Sequence, residues 1–264
     1  MRLSVLSDVL PGASFEEAAG HIAAAGAEGI EPLAGPGSHL STGSDADVER
    51  LRETAERHGL AICGLAAVYG PPLGDERTAW VAESAAALGG RFVRVFAPPF
   101  DPAAGVDEQV DRVAGDLRRL CEAAPAGVDI LVEISPVTLA ASPELARRLL
   151  DRAAHPAAGV VYDPGNMVAE GLLPADFALA LLGGLVRHVH AKNTAWFRRD
   201  GAWSRRYVRI DAGIVDWPDT VARLRAQGYD RWISIDHISG APSRGRLRSD
   251  VRNLKRLLLE AAVG

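Results

Sequence analysis

Long apolar runs are missing from this 264-residue sequence. No stretch approaches the roughly 18 uninterrupted apolar residues that a membrane span needs. The opening run Leu3-Ser4-Val5-Leu6 is too short for a signal h-region and meets Asp8 at once. A cytoplasmic chain with no membrane partner is expected. Cysteine is nearly absent too: Cys63 and Cys121 are the only two, both in apolar surroundings, and no CxxC spacing suggests a metal knuckle or redox pair. Basic charge is in deficit, with 29 Lys and Arg against 34 Asp and Glu and a net charge of -5. That removes the electrostatic reason to expect a nucleic-acid partner. Aromatic residues reach only 6%, so the core must be assembled from many small aliphatic contacts. No Gly-x-Gly-x-x-Gly follows the first apolar run, which argues against a dinucleotide-binding open sheet. No Pro/Gly/Ser-rich linker divides the chain, so one domain over 1–264 is expected.

What is present is alternation. Short β-type runs occur at Leu3–Leu6, Gly29–Glu31, Ile62–Ala66, Phe92–Phe96, Ile130–Ile134, Val160–Tyr162, Val186–His190 and Ile233–Ile235. Stretches of helical spacing lie between them, several with start signals: Ser14 with Glu17, Ser142 before Pro143 and Glu144, and Asp216 before Pro218 and Asp219. Eight strands alternating with eight helices in a chain of this length predict an α/β fold, the (β/α)8 or TIM barrel. The gap between the seventh and eighth strands holds an Arg- and Trp-rich insertion at 197–209.

In such a barrel, functional side chains project from the C-terminal strand ends. Glu133 ends ILVE, Asp163 follows VVY, His190 ends VRHVH and Asp236 follows ISI. Four consecutive strands thus deliver one ligating side chain each to the same rim. Three carboxylates buried together need a counter-charge, and a single divalent cation supplies it. A mainly oxygen site with one imidazole suits Mn2+, Mg2+ or Co2+ and also holds Zn2+, with Mn2+ the first choice.

The series LVEIS, VVYDPGN, HVHAKN and GIVDWPDTVARLRAQGYDRWISID resembles the sugar isomerase and epimerase superfamily of xylose-isomerase-like barrels over essentially the whole chain. In that family a Glu, an Asp, a His and a final Glu bind the metal, which implies Glu133, Asp163, His190 and Asp236 here. The last ligand departs from the pattern, being one methylene shorter. Asn166 stands where the epimerase branch often has His, and Leu139 where it has a Glu behind the ligands. Glu31, in GIEP, resembles a mouth residue that contacts substrate.

These residues define the expectations to be tested. Glu133, Asp236 and Lys192 are the candidate catalytic groups, Lys192 because it shares the face of His190 and rises toward the mouth. Glu31, Asn166 and Trp196 are candidate substrate contacts. His188 is expected to be a satisfied core histidine, and His237 to point away from the barrel if strand geometry persists. Trp196, Arg205, Arg206 and Tyr207 are candidates for a lid with a site for an acidic or phosphorylated substrate. The leading reaction is metal-dependent isomerisation or epimerisation of a keto sugar or related polyol through an enediolate. The alternatives are a metal-dependent lyase of the inosose or dehydroshikimate dehydratase type or a C-glycoside-cleaving enzyme, and a non-catalytic metal- or ligand-binding barrel. A homo-oligomer is compatible with all of these.

Overall fold

The structure, a computed structural model, describes residues 1–67, 76–237 and 243–260. Every expected strand forms: β1 (Arg2–Leu6), β2 (Gly29–Glu31), β3 (Ala61–Ile62), β4 (Phe92–Val95), β5 (Asp129–Glu133), β6 (Ala158–Tyr162), β7 (Val186–Ala191) and β8 (Trp232–Ile235). Leu33–Ala34 prolongs β2 beyond Pro32, and Leu65–Ala67 prolongs β3 beyond Cys63 and Gly64. The first halves of β2 and β3 pair through Gly29 with Ala61, and the second halves through Leu33 with Ala66. With β1 on β8 and the end of β3 on β4, all parallel, the sheet closes on itself. The result is a (β/α)8 barrel.

Helices follow the strands in turn: α1 (Phe15–Ala25), α2 (Asp45–Arg57), α3 (Glu76–Ala87), α4 (Val106–Ala123), α5 (Pro143–Ala153), α6 (Ala175–Leu182), α7 (Trp217–Ala226) and α8 (Arg244–Glu260). Their start signals work as read. Ser14 and Glu17 form a reciprocal capping box, Ser142 accepts from the Leu145 amide at 3.3 Å, and Asp216 accepts from the Asp219 amide at 3.0 Å. No described helix is long and apolar enough to cross a membrane.

Alternation along the strands divides the side chains between two environments. Leu3, Val5, Ile30, Val93, Ile130, Val132, Val160, Val189 and Ile233 belong to the main apolar cluster that packs strands against helices. The opposite parity fills the barrel. At its N-terminal end Cys63, Phe92, Leu131 and Val161 cluster with Trp232 packed against them. Glycine makes this plug fit: a Cβ on Gly64 would lie 2.5 Å from the Phe92 ring, and one on Gly29 would lie 2.7 Å from Trp232. Above the plug the interior turns polar.

One irregularity sets that polar layer. Val160 pairs with Val186 but Val161 pairs with His188, so Arg187 is an extra residue, a bulge. A one-residue slip exchanges the two faces of a strand. The bulge therefore gives His188 and His190 the interior parity of Val161 and Asp163.

Candidate active site

Glu133, the last residue of β5, is 3% exposed, and Asp163 just beyond β6 and His190 in β7 are fully buried. Asp236 follows β8 directly and is 13% exposed in its side chain. The four residues expected to share a site do meet: one donor atom from each lies within 4.8 Å of the others. His190 Nδ1 is 3.5 Å from Glu133 Oε2 and 3.6 Å from Asp236 Oδ1. The site is not preserved by strand ends alone. Asp163 also caps the short helix Pro164–Met167, accepting from the Asn166 amide at 2.9 Å, which fixes its carboxylate with Oδ2 turned into the cluster.

Lys192 is brought here as expected, but buried rather than free at the mouth. Its ammonium lies 2.6 Å from Asp163 Oδ2 and bonds Asp236 Oδ2. Gly165 makes room for it, since a Cβ there would come within 2.4 Å of Lys192 Cγ. Two expected substrate contacts are engaged by residues of the cluster. Glu31 is fully buried, and its two carboxylate oxygens go to His188 Nε2 at 3.0 Å and His190 Nε2 at 3.2 Å. Asn166 Nδ2 donates to Glu133 Oε1 at 2.8 Å and to the Ile134 carbonyl at 3.1 Å. Both residues therefore orient side chains of the cluster, Glu31 with both carboxylate oxygens and Asn166 with its amide nitrogen. His188 lies in the core as anticipated, held by Glu31 through Nε2 and 4.3 Å from the Phe92 ring, but it is not fully satisfied, since its buried Nδ1 has no hydrogen-bond partner. His237 departs from expectation: β8 ends at Ile235, strand alternation stops there, and the imidazole stacks 3.9 Å from Tyr207.

Arg94 escaped the sequence reading. It is the one charged residue in FVRV of β4, which was the available signal, and its Nε lies 3.2 Å from Glu133 Oε2 while Nη1 donates to the Ala67 carbonyl at 3.0 Å. Asn193 escaped as well. Its amide donates to the Ile210 and Val215 carbonyls and accepts from the Thr194 and Val215 amides, clamping the chain after β7.

Buried charges must be paired or neutralised, and the cluster does both. Burial would raise the Glu133 carboxyl, but His190 and Arg94 hold it below the usual range. Burial pushes Asp163 up to about 7, with Glu133 and Asp236 adding to the effect and Lys192 opposing it. Asp236 is held low by Lys192 and His190 against its burial. Burial favours the neutral imidazole of His190, yet Glu31, Asp236 and Glu133 around it raise it well above the usual range.

The donor set fits a divalent cation. Glu133 Oε2, Asp163 Oδ2 and His190 Nδ1 are buried atoms without a well-formed hydrogen bond, the two oxygens being met only by the Arg94 and Lys192 cations, and together with an Asp236 oxygen they converge on one space. Buried polar atoms that lack a proper hydrogen bond are rare unless something else completes them. The cluster is thus a possible divalent-metal site.

The mouth is overhung by an antiparallel hairpin, Asn193–Arg199 and Ala202–Val208, formed by the insertion between β7 and α7. Trp196 is 41% exposed, and its indole donates to the Val168 carbonyl at 3.3 Å.

Comparison with known proteins agrees with this geometry. A D-tagatose 3-epimerase-like protein superposes with a TM-score of 0.79 at 21% identity, over 100% of this chain and 97% of the other. A probable 3-DHS dehydratase from Bacillus anthracis gives 0.78 at 20% identity, over 97% and 99% of the two chains. A xylose isomerase-like TIM barrel protein from Mycobacterium smegmatis, solved in complex with magnesium, gives 0.77 at 18%, over 94% and 89%. At these identities the solved structures establish the fold alone. No curated protein matches the chain. A family model described as xylose isomerase-like TIM barrel matches residues 20–257, and with nearly the whole barrel inside that match, the chain belongs to the xylose isomerase-like TIM barrel family.

Proposed function

We propose that this chain is a divalent-metal-dependent isomerase or epimerase of a keto sugar or related polyol, working by proton removal beside a carbonyl. The observation that carries the reading is the convergence of four donor atoms, three carboxylate oxygens and an imidazole nitrogen, within 4.8 Å. Glu133, Asp163, His190 and Asp236 would hold the metal, Mn2+ first among Mg2+, Co2+ and Zn2+. When bound, the ion supplies Lewis-acid polarisation of a carbonyl and its neighbouring hydroxyl, making the intervening C–H more acidic. Glu133 is the base. Its Oε1 is oriented by Asn166, and the Arg94 guanidinium beside Oε2 favours its ionised form. Glu31 acts from below as a positioning residue for His190. Lys192 stabilises negative charge developing on substrate oxygen.

One observation favours a lyase as the second reading. Asp236 is bonded to Lys192 and held low, so it carries no proton to return to the opposite face of a carbon. A single base at Glu133 suits elimination of a β-substituent, or isomerisation on one face, better than two-base epimerisation.

The test uses a panel of keto sugars and polyols in deuterated water with Mn2+ at saturation. Isomerisation or epimerisation places solvent deuterium on the reacting carbon, whereas the lyase releases water or an aglycone. Glu133→Gln slows either outcome by about 100-fold or more. Wild-type turnover by the fully metallated Glu133→Gln protein would leave Glu133 a ligand only. Metal binding without turnover or exchange across the panel would favour the non-catalytic barrel.

A further inference from the structure

The hairpin over the mouth has a charge pattern opposite to that of the chain. Residues 193–208 hold Arg198, Arg199, Arg205 and Arg206 with Asp200 as the one acid, in a protein of net charge -5. Its two faces are set by register. Thr194 opposes Tyr207 and Trp196 opposes Arg205, and directly opposed residues of an antiparallel pair share a face. Three contacts turn that face toward the barrel. Thr194 Oγ1 donates to the Gly165 carbonyl at 3.1 Å, the Trp196 indole donates to the Val168 carbonyl, and Tyr207 stacks on His237.

Arg205 projects from this inward face. Its guanidinium carbon lies 5.9 Å from the Tyr207 ring, and Lys192 Nζ lies 5.9 Å from the same ring. One aromatic ring therefore separates Arg205 from the buried cluster, a separation that a sugar-sized molecule spans. Arg205 Nη1 is buried and has no hydrogen-bond partner, and among the described residues no carboxylate pairs with it. Arg147, Arg209, Arg223 and Arg256, by contrast, each close on an acid of their own segment. A buried guanidinium donor left open is destabilising unless a ligand completes it, and its planar fork matches carboxylate and phosphate.

We propose that Arg205, walled by Trp196 and Tyr207, is an anion subsite at the edge of the mouth. It receives a carboxylate or phosphate carried by the substrate away from the reacting carbon. The inference rests on the keto-sugar reading for the rest of the ligand, not for the anion, and it narrows the substrate class to sugar acids or sugar phosphates.

The experiment titrates inorganic phosphate into the purified protein, read through tryptophan fluorescence because Trp196 and Trp203 flank Arg205 on the hairpin. Saturable binding is expected, weakened at least tenfold by Arg205→Gln and partly restored by Arg205→Lys. D-fructose 6-phosphate and D-fructuronate are then compared with D-fructose. Whichever anion the subsite takes binds at least tenfold more tightly than fructose, and Arg205→Gln abolishes that preference. Phosphate binding that is absent, or indifferent to residue 205, overturns the proposal. So does equal binding of all three sugars, which leaves the keto-sugar reading intact. Phosphate binding that depends on Arg205, with none of the three sugars bound, upholds the anion site and sinks the keto-sugar reading.

Discussion

On the proposed ligand assignment, Lys192 and a divalent cation would compete for the same oxygens. The ammonium sits against Asp163 and Asp236, two of the four donors assigned to the metal. Lys192→Met removes a repelling charge, so Mn2+ affinity is expected to rise by about tenfold or more, roughly the scale of one favourable close charge pair. The same change leaves two buried carboxylates uncompensated, so the chelator-treated variant melts below the wild type. Calorimetric titration and thermal denaturation read the two effects, and unchanged metal affinity would disprove the competition. Protons compete as well. Asp163 is raised to about 7 and His190 is raised well above its usual range. Each raised group favours the folded metal-free protein at low pH, and that contribution fades as pH climbs through the raised value. Ligation requires Asp163 ionised and His190 neutral, so metal binding expels protons and tightens as pH increases through about 7. Calorimetry in two buffers of different ionisation enthalpy measures the release, and a flat affinity from about pH 5.5 to 8 would contradict it.

At the scale of single elements, the insertion after β7 is built as a rigid hairpin whose base is pinned by Asn193. That one side chain makes four hydrogen bonds, to Ile210, Val215 and Thr194, and Gly213 packs where a Cβ would come within 2.0 Å of Asn193 Oδ1. Asn193→Ala strands buried peptide groups, at a cost of about 3 kcal/mol or more from several unmet bonds of ~1–3 kcal/mol each. Urea denaturation should show this loss, with proteolysis appearing first in the hairpin. A loss near zero would mean that water or neighbouring chain replaces the clamp. Helix α1, in contrast, is held at its start by a local capping box, so Ser14→Ala is expected to cost only ~1 kcal/mol.

For the whole molecule, the proposed metal and the fold would be linked by mass action. Ion at about 100 times its Kd adds about 2.7 kcal/mol, which for a domain of this size raises the melting temperature by roughly 5–10 °C. Chelator should reverse the gain in the wild type. Asp163→Asn or His190→Ala should remove both the gain and the bound ion, each deleting a donor that four strands bring together. Full metal occupancy in both variants, measured by elemental analysis, would refute the ligand assignment.

The sequence by itself determined the barrel, because period-2 apolar runs, helical spacing and capping residues are local properties written in consecutive residues. It also determined which residues cluster at the mouth, since strand ends in a closed parallel barrel share one rim: Glu133, Asp163, His190 and Asp236 were readable without coordinates. Asp236 and His237 mark the limit of that reasoning, because alternation predicts direction only while the strand lasts, and β8 stops at Ile235. What only the tertiary structure decided are the contacts between residues far apart in the chain. Glu31 reaches His188 and His190 across 157 and 159 positions, Lys192 bridges Asp163 and Asp236, and Arg94 pairs with Glu133 inside the barrel. The bulge at Arg187 belongs with them, since a skipped residue is invisible to periodicity yet sets which face of β7 lines the interior. Closing the sheet turns spacing along eight strands into distances around one axis, and the charge balance of the site exists only in those distances.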